Sequence, residues 1–203
     1  MSSSEHEVSD LDLAEFAEFS EFVEELKNES DRAAVILGAA KLDLLLYHLL
    51  QKVLLPSTSK SDELLDGDSP LGTFSAKIAL AYRLGLIDPM LCKTLHLVRR
   101  IRNSFAHELS GVSLKSGAHR DRVRELFSPL EGSDSAEWLF ERYFANDKSP
   151  RNQFRYVVAL VSARLQGAYD HATPRPTTPM GLVPPPFPES LKEPKKEAPE
   201  AAS

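Results

Sequence analysis

The chain has 203 residues, 42% hydrophobic and 27% charged, with a formal net charge of −6 and one cysteine. That is the composition of one ordinary globular domain with extensions, and a lone Cys92 excludes an intrachain disulfide and a cysteine-built zinc site. The acidic opening residues do not read as a secretory leader. The most apolar stretch, 33–55, is interrupted by Lys41, Asp43, His48 and Lys52, charges that are costly in a bilayer, so a cytoplasmic protein with no membrane partner is the expectation.

Residues 1–9 are expected to be disordered. From Leu11, apolar residues Leu13, Phe16, Phe19, Phe22, Val23 and Leu26 recur at helical spacing among glutamates, predicting an acidic amphipathic helix. Ser30 or Asp31 can cap a second helix running to about Leu55, apolar on nearly all sides and therefore central. Its Gly38, Ala39 and Ala40 would let a neighbouring helix come close. Ser57–Pro70 reads as a polar loop with an Asp66–Gly67 turn. A third helix should span about Thr73 to Leu84, closed by Gly85 and Leu86. Asp88–Pro89 should cap and open a fourth, with Leu91, Leu95, Val98, Ile101 and Phe105 on its apolar side.

Gly111 and Gly117 bracket a loop before a short helix over His119–Leu126. Asp134 and Glu137 have capping-box spacing, predicting a helix that carries Trp138, Leu139, Tyr143 and Phe144. Pro150 should break the chain before a last helix from Gln153 to about Tyr169, in which only Tyr156–Val161 could also read as strand. Residues 10–170 thus predict one compact all-α helical bundle. Residues 171–203 predict a disordered Pro-rich tail, because nine of the fourteen prolines lie from Thr173 onward with few core-forming residues beyond Leu182, Val183, Phe187 and Leu191. Two stretches of the tail, Pro176–Pro179 and Pro184–Pro188, have the form of aromatic-groove ligands, although a plain spacer is the commoner use of such sequence.

Charge is distributed unevenly. Residues 1–29 hold ten acidic side chains against Lys27, which leaves the remainder net positive. Arg99, Arg100, Arg120, Arg122 and Arg124 could hold a phosphate backbone, or could simply be solvated. Arg102 falls on or beside the apolar stripe of the fourth helix, where a guanidinium needs compensation. Asp43, on a similar stripe of the second helix, is a candidate partner in a structural ion pair, and Glu29 and Asp31 are others. The six histidines share no ligand spacing, so no metal site is expected, and no cofactor motif or Ser/His/Asp arrangement is present.

Two segments carry more specific signals. Leu64–Ile87 reads LLDGDSPLGTFSAKIALAYRLGLI, and it resembles the signature of the bacterial mannitol operon repressor family, supported by ESDRAAVILGAAKLD at Glu29–Asp43. That resemblance implies a compact all-α regulator of a sugar-alcohol operon that lacks its own DNA-reading module and acts through protein contacts. No helix pair with a basic recognition face contradicts it here. Asp66, Gly67, Pro70, Leu71, Gly72 and Thr73 would then form the interaction element. Arg99–His107 reads RRIRNSFAH, and Arg102 with His107 five residues on resembles the Arg/His motif of the HEPN superfamily.

The HEPN resemblance implies a HEPN-like bundle, a homodimer with a composite site, and metal-independent RNA cleavage. In that chemistry His107 would be the acid or base, Arg102 would stabilise the phosphorane, and Asn103 would support them. Residues five apart on a helix diverge by about 140°, so the pair converges only if the helix ends near Phe105 or a second copy completes the site. The leading expectation is a regulator working by protein–protein contact, dimerising through the second and fourth helices. RNA binding or endoribonuclease activity is the alternative, and a non-catalytic interaction module built on the acidic helix and proline tail is the third.

Overall fold

The structure, a computed structural model, describes residues 13–108, 111–115 and 117–174. The expectations for residues 1–9 and for the tail beyond 174 lie outside the described residues. Seven α-helices are present among them: α1 Leu13–Lys27, α2 Asp31–Val53, α3 Phe74–Arg83, α4 Pro89–His107, α5 Gly117–Phe127, α6 Asp134–Phe144 and α7 Pro150–His171, with a 3-10 turn at Ser128–Leu130. No strand occurs among the described residues, and Tyr156–Val161 is helical.

Several helix ends follow local chemistry as the sequence predicts. Ser30 caps α2 by accepting from Ala33 N–H at 3.1 Å, and Thr73 caps α3 by accepting from Ala76 N–H at 3.2 Å. Asp88 accepts from Leu91 N–H at 2.7 Å, with Pro89 at the first helical position of α4. Gly85 closes α3 at φ +70, and Leu86 N–H returns to the Ala81 carbonyl.

Two ends differ from expectation. The capping box at Asp134 does not form: Ser133 precedes α6 without a side-chain cap bond, and Glu137 instead accepts from Gly132 N–H at 3.3 Å. Pro150 does not stand apart from the last helix but begins it, because a proline at the first helical position removes only an N–H that would have no helical partner.

α2 and α7 form the spine. α7 packs on α1, α2 and α5, while α2 also packs on α3 and α4. Gly38 is where the two long helices meet: a Cβ there would lie 2.7 Å from Val158 Cγ1. Around Tyr156 of α7 the rings of Phe19, Phe127, Phe140 and Phe144 gather at centroid distances of 5.7, 6.1, 5.2 and 6.4 Å. Most meet it edge-on, the favourable geometry for aromatic quadrupoles. Tyr156 donates to the Ala136 carbonyl at 2.9 Å, so its buried hydroxyl is satisfied, and burial pushes its pKa up.

Of the apolar candidates on α4, Leu95, Val98, Ile101 and Phe105 are buried, and Leu91 is half-buried. α2 is long and apolar enough to cross a membrane, yet half of that stretch is buried inside the bundle, where its leucines serve as core.

Polar links fix the ends of the spine. Buried Asp31, in the first turn of α2, takes Arg151 Nε at 2.6 Å and Leu114 N–H at 3.2 Å, tying α2, α7 and the 111–115 segment together. Nearly sealed Arg155 donates to the Glu29 carbonyl at 2.5 Å. Burial, helped by neighbouring Arg151, lowers its pKa, though a guanidinium stays charged. Arg32 donates to the Phe105 carbonyl at 2.6 Å and to the Glu108 carbonyl at 2.5 Å, placing a cation on the negative end of α4. Lys52 does the same at the end of α7, donating to the Tyr169 and Asp170 carbonyls at 2.6 and 3.1 Å.

Candidate functional site

Three sets of residues singled out separately in the sequence meet in one groove. Its walls are α2 (Ala40, Asp43, Leu44 and Tyr47), the loop before α3 (Asp66, Gly67 and Gly72), α3 (Phe74 and Lys77) and Arg102 of α4, enclosing about 500 Å³. Sequence spacing could place Asp43 and Arg102 on stripes of their own helices. Only the fold brings both to the 66–72 loop.

The expected Asp43–Arg102 ion pair is replaced. Asp43 pairs with Lys77 at 2.8 Å, and the lysine is almost wholly buried, 6% exposed. A sealed ammonium needs a carboxylate more than a solvated guanidinium does. Arg102 is exposed and donates to Asn103 Oδ1 at 3.0 Å, so water solvates the charge and no buried partner is required. It is left as a cation at the groove's rim.

The loop at 62–73 is ordered by its own bonds. Asp66 accepts from Tyr47 Oη at 2.9 Å and from Asp62 N–H at 2.8 Å. The Asp62 backbone bond and the tyrosine hydroxyl hold its pKa below the ordinary 3.8. Bonding to this carboxylate also raises the Tyr47 pKa. Leu71 N–H bonds the Leu64 carbonyl at 2.8 Å, and Ser69 Oγ donates to the same oxygen at 2.6 Å. At Gly72 the backbone comes so close that a Cβ would sit 2.1 Å from the Gly67 carbonyl oxygen. Of the expected interaction element, then, Asp66 and Gly72 build the loop and Thr73 caps α3. Gly67, Pro70 and Thr73 are exposed, and Leu71 is half-buried.

Beside the groove α2 presents an apolar surface outside the predicted site residues. Ile36, Leu37 and Leu44 are 36, 41 and 53% exposed, with exposed Ala40 between them. The spacings 36, 40, 44 and 37, 40, 44 put all four on one helix face. The only sequence signal was that α2 carries more apolar residues than one core face can bury.

The Arg/His string is split. α4 runs regularly through His107, so it does not end near Phe105, and Arg102 and His107 diverge by about 140°. Both are exposed. His107 instead shares a face with His96, Arg100 and Asn103, at steps of four, three and four. The half-buried His96 has its pKa lowered by burial, then by Arg99 and Arg100.

The remaining arginines do not form one cradle. Arg100, Arg120 and Arg124 are exposed and Arg99 is half-buried, while Arg122 is used to join α5 to α4 through Ser104 Oγ at 3.0 Å. No cluster of metal-ligating side chains occurs among the described residues.

No protein-family model and no curated sequence matches the chain. Among solved structures, it is similar to a chain of the MtlR–HPr complex from Escherichia coli, with a TM-score of 0.55 and 21% identity. The match covers 73% of this chain and 98% of that one. At this identity the likeness establishes a shared all-α fold. It agrees with the fold implied by the mannitol-repressor resemblance and lends no support to the HEPN-like string.

Proposed function

We propose that this protein is a regulator of the mannitol-repressor kind, without a DNA-reading motif of its own, that works by docking a partner protein on the face formed by α2, the 62–73 loop and Arg102. The observation that carries this reading is the exposed apolar row Ile36, Leu37, Ala40 and Leu44 lying against a groove with an exposed cation at its rim. An apolar centre with an arginine at its edge is the usual composition of an interface hot spot. The fold neighbour was crystallised with HPr, and HPr is the partner we assign. Calorimetric titration of HPr into wild type, Leu44→Glu and Arg102→Glu tests it. Binding weakened at least about tenfold in both variants supports the reading. Undiminished binding in both, or none in wild type, rejects it.

A second reading rests on the accessibility of Arg102 and His107 and on the Arg102–Asn103 bond. A HEPN-type ribonuclease needs both side chains reachable, and here a homodimer would have to bring the pair together, since one helix holds them apart. In that case His107 moves the proton and Arg102 holds the phosphorane. Cleavage of a mixed RNA pool in EDTA, lost in His107→Ala and leaving 2′,3′-cyclic phosphate ends, would establish that activity. No cleavage by folded wild type leaves the docking regulator, or a plain interaction module.

A further inference from the structure

A second, more apolar groove of about 350 Å³ runs between the start of α4, the end of α5 with its 3-10 turn, and α7. Met90 and Leu91 form one wall, and Leu160, Val161, Leu165 and Ala168 form the other. Met90 is 50% exposed, although it sits at a concave apolar surface. The charged residues lining the groove are Asp88, engaged as the cap of α4, and Arg164, paired with Glu15 at 2.9 Å. An occupant here must therefore be apolar and bring few unsatisfied polar groups.

The described chain ends at the mouth of this groove. After α7 stops at His171, Ala172 and Thr173 lie against Gly85 and Leu86 in a small adjoining hollow. Leu86 and Ala168 line both that hollow and the larger groove. The sequence continuing from there is TPRPTTPMGLVPPPFPES from Thr173 to Ser190, and it carries no charge between Pro176 and Pro188.

We infer that residues Leu182–Phe187 of this chain's own tail dock in the α4–α7 groove as a polyproline II segment, covering Met90 and Leu160. The lengths agree. The groove follows α7 from Val157 to Ala168, about 16 Å at the helical rise. Leu182 to Phe187 spans about 16 Å at the polyproline rise. Eight residues from Pro174 to Leu182 can reach at most about 28 Å, enough to reverse direction at the mouth, with Gly181 available for the turn.

The chemistry agrees as well. Pro184, Pro185 and Pro186 have no N–H to strand in an apolar groove, and polyproline II leaves little further order to impose. Leu182, Val183 and Phe187 supply the apolar surface.

Methionine-methyl NMR of the full chain tests this directly, because the sequence holds three methionines and Met90 lines the groove. Replacing Leu182 and Phe187 together by serine should move the Met90 methyl resonance, while Leu191→Ser leaves it in place. Cross-peaks between the Met90 methyl and the Phe187 ring should be present in wild type and unchanged by dilution. All these substitutions follow the end of α7 at His171, beyond every helix of the described bundle, so the bundle itself is expected to stay folded. A Met90 resonance indifferent to the double substitution overturns the inference. So do cross-peaks that form only between copies, which would make the occupant a second molecule.

Discussion

The two faces of α2 are built from the same residue types and meet different fates. Inward the helix buries Ala34, Gly38, Leu42, Leu45 and Leu49, and α7 comes so close that Gly38 cannot carry a side chain. Outward, Ile36, Leu37 and Leu44 stand in water beside a charged groove. The inner face is core, and the outer face leaves a third to a half of each large side chain in water. An apolar row left this exposed is the kind of surface that a partner covers, which is why it carries the proposed docking face.

Substitution of one leucine from each face should separate these roles most strongly. Leu42, fully buried, should lose about 2–5 kcal/mol on change to alanine. Leu44→Ala should stay within about 0.5 kcal/mol of wild type, both read by urea unfolding. If Leu44 cost as much as Leu42, the outer row would be core after all.

The next effect concerns the loop that borders the outer face. Gly72→Ala drives a methyl into the Gly67 carbonyl and should cost about 1–3 kcal/mol. Gly67→Ala, at φ +56 but in open space, should cost only about 1 kcal/mol. A smaller loss, about 1–2 kcal/mol, is expected from Arg32→Ala, which frees the Phe105 and Glu108 carbonyls at the end of α4.

The smallest effect is one of pH. His96 has a folded-state pKa below its ordinary 6.5, so its neutral form is favoured by folding. The stability this contributes is complete above pH 6.5 and falls as the pH drops toward the folded value. His96→Gln should therefore flatten the acid side of the stability profile just below pH 6.5. A profile unchanged by the substitution would contradict that.

The sequence disclosed what short spans decide. Ser30, Thr73, Gly85 and Asp88–Pro89 act within four or five residues, and each does in the structure what its local chemistry implies. Even there, Glu137 chose the Gly132 amide over a capping box, a competition between neighbours that spacing cannot rank. Contacts between distant elements were not legible. Asp43 had two basic residues within reach, and the buried Lys77 took it because its ammonium had nowhere else to go. Arg32 meets Phe105 across seventy-three positions, and nothing in either segment marks the other.

The site was half visible for the same reason. Arg102, Asp43 and the Asp66–Thr73 loop stood out singly, while their meeting in one groove, and the leucines beside it, required the fold.

The most direct test of the outer face as a docking surface is a methyl NMR titration of the isotope-labelled chain with unlabelled HPr. The account predicts that Ile36, Leu37 and Leu44 shift first while the buried Leu42 and Leu46 hardly move. Perturbation confined to other surfaces, or no perturbation at saturating HPr, would contradict it.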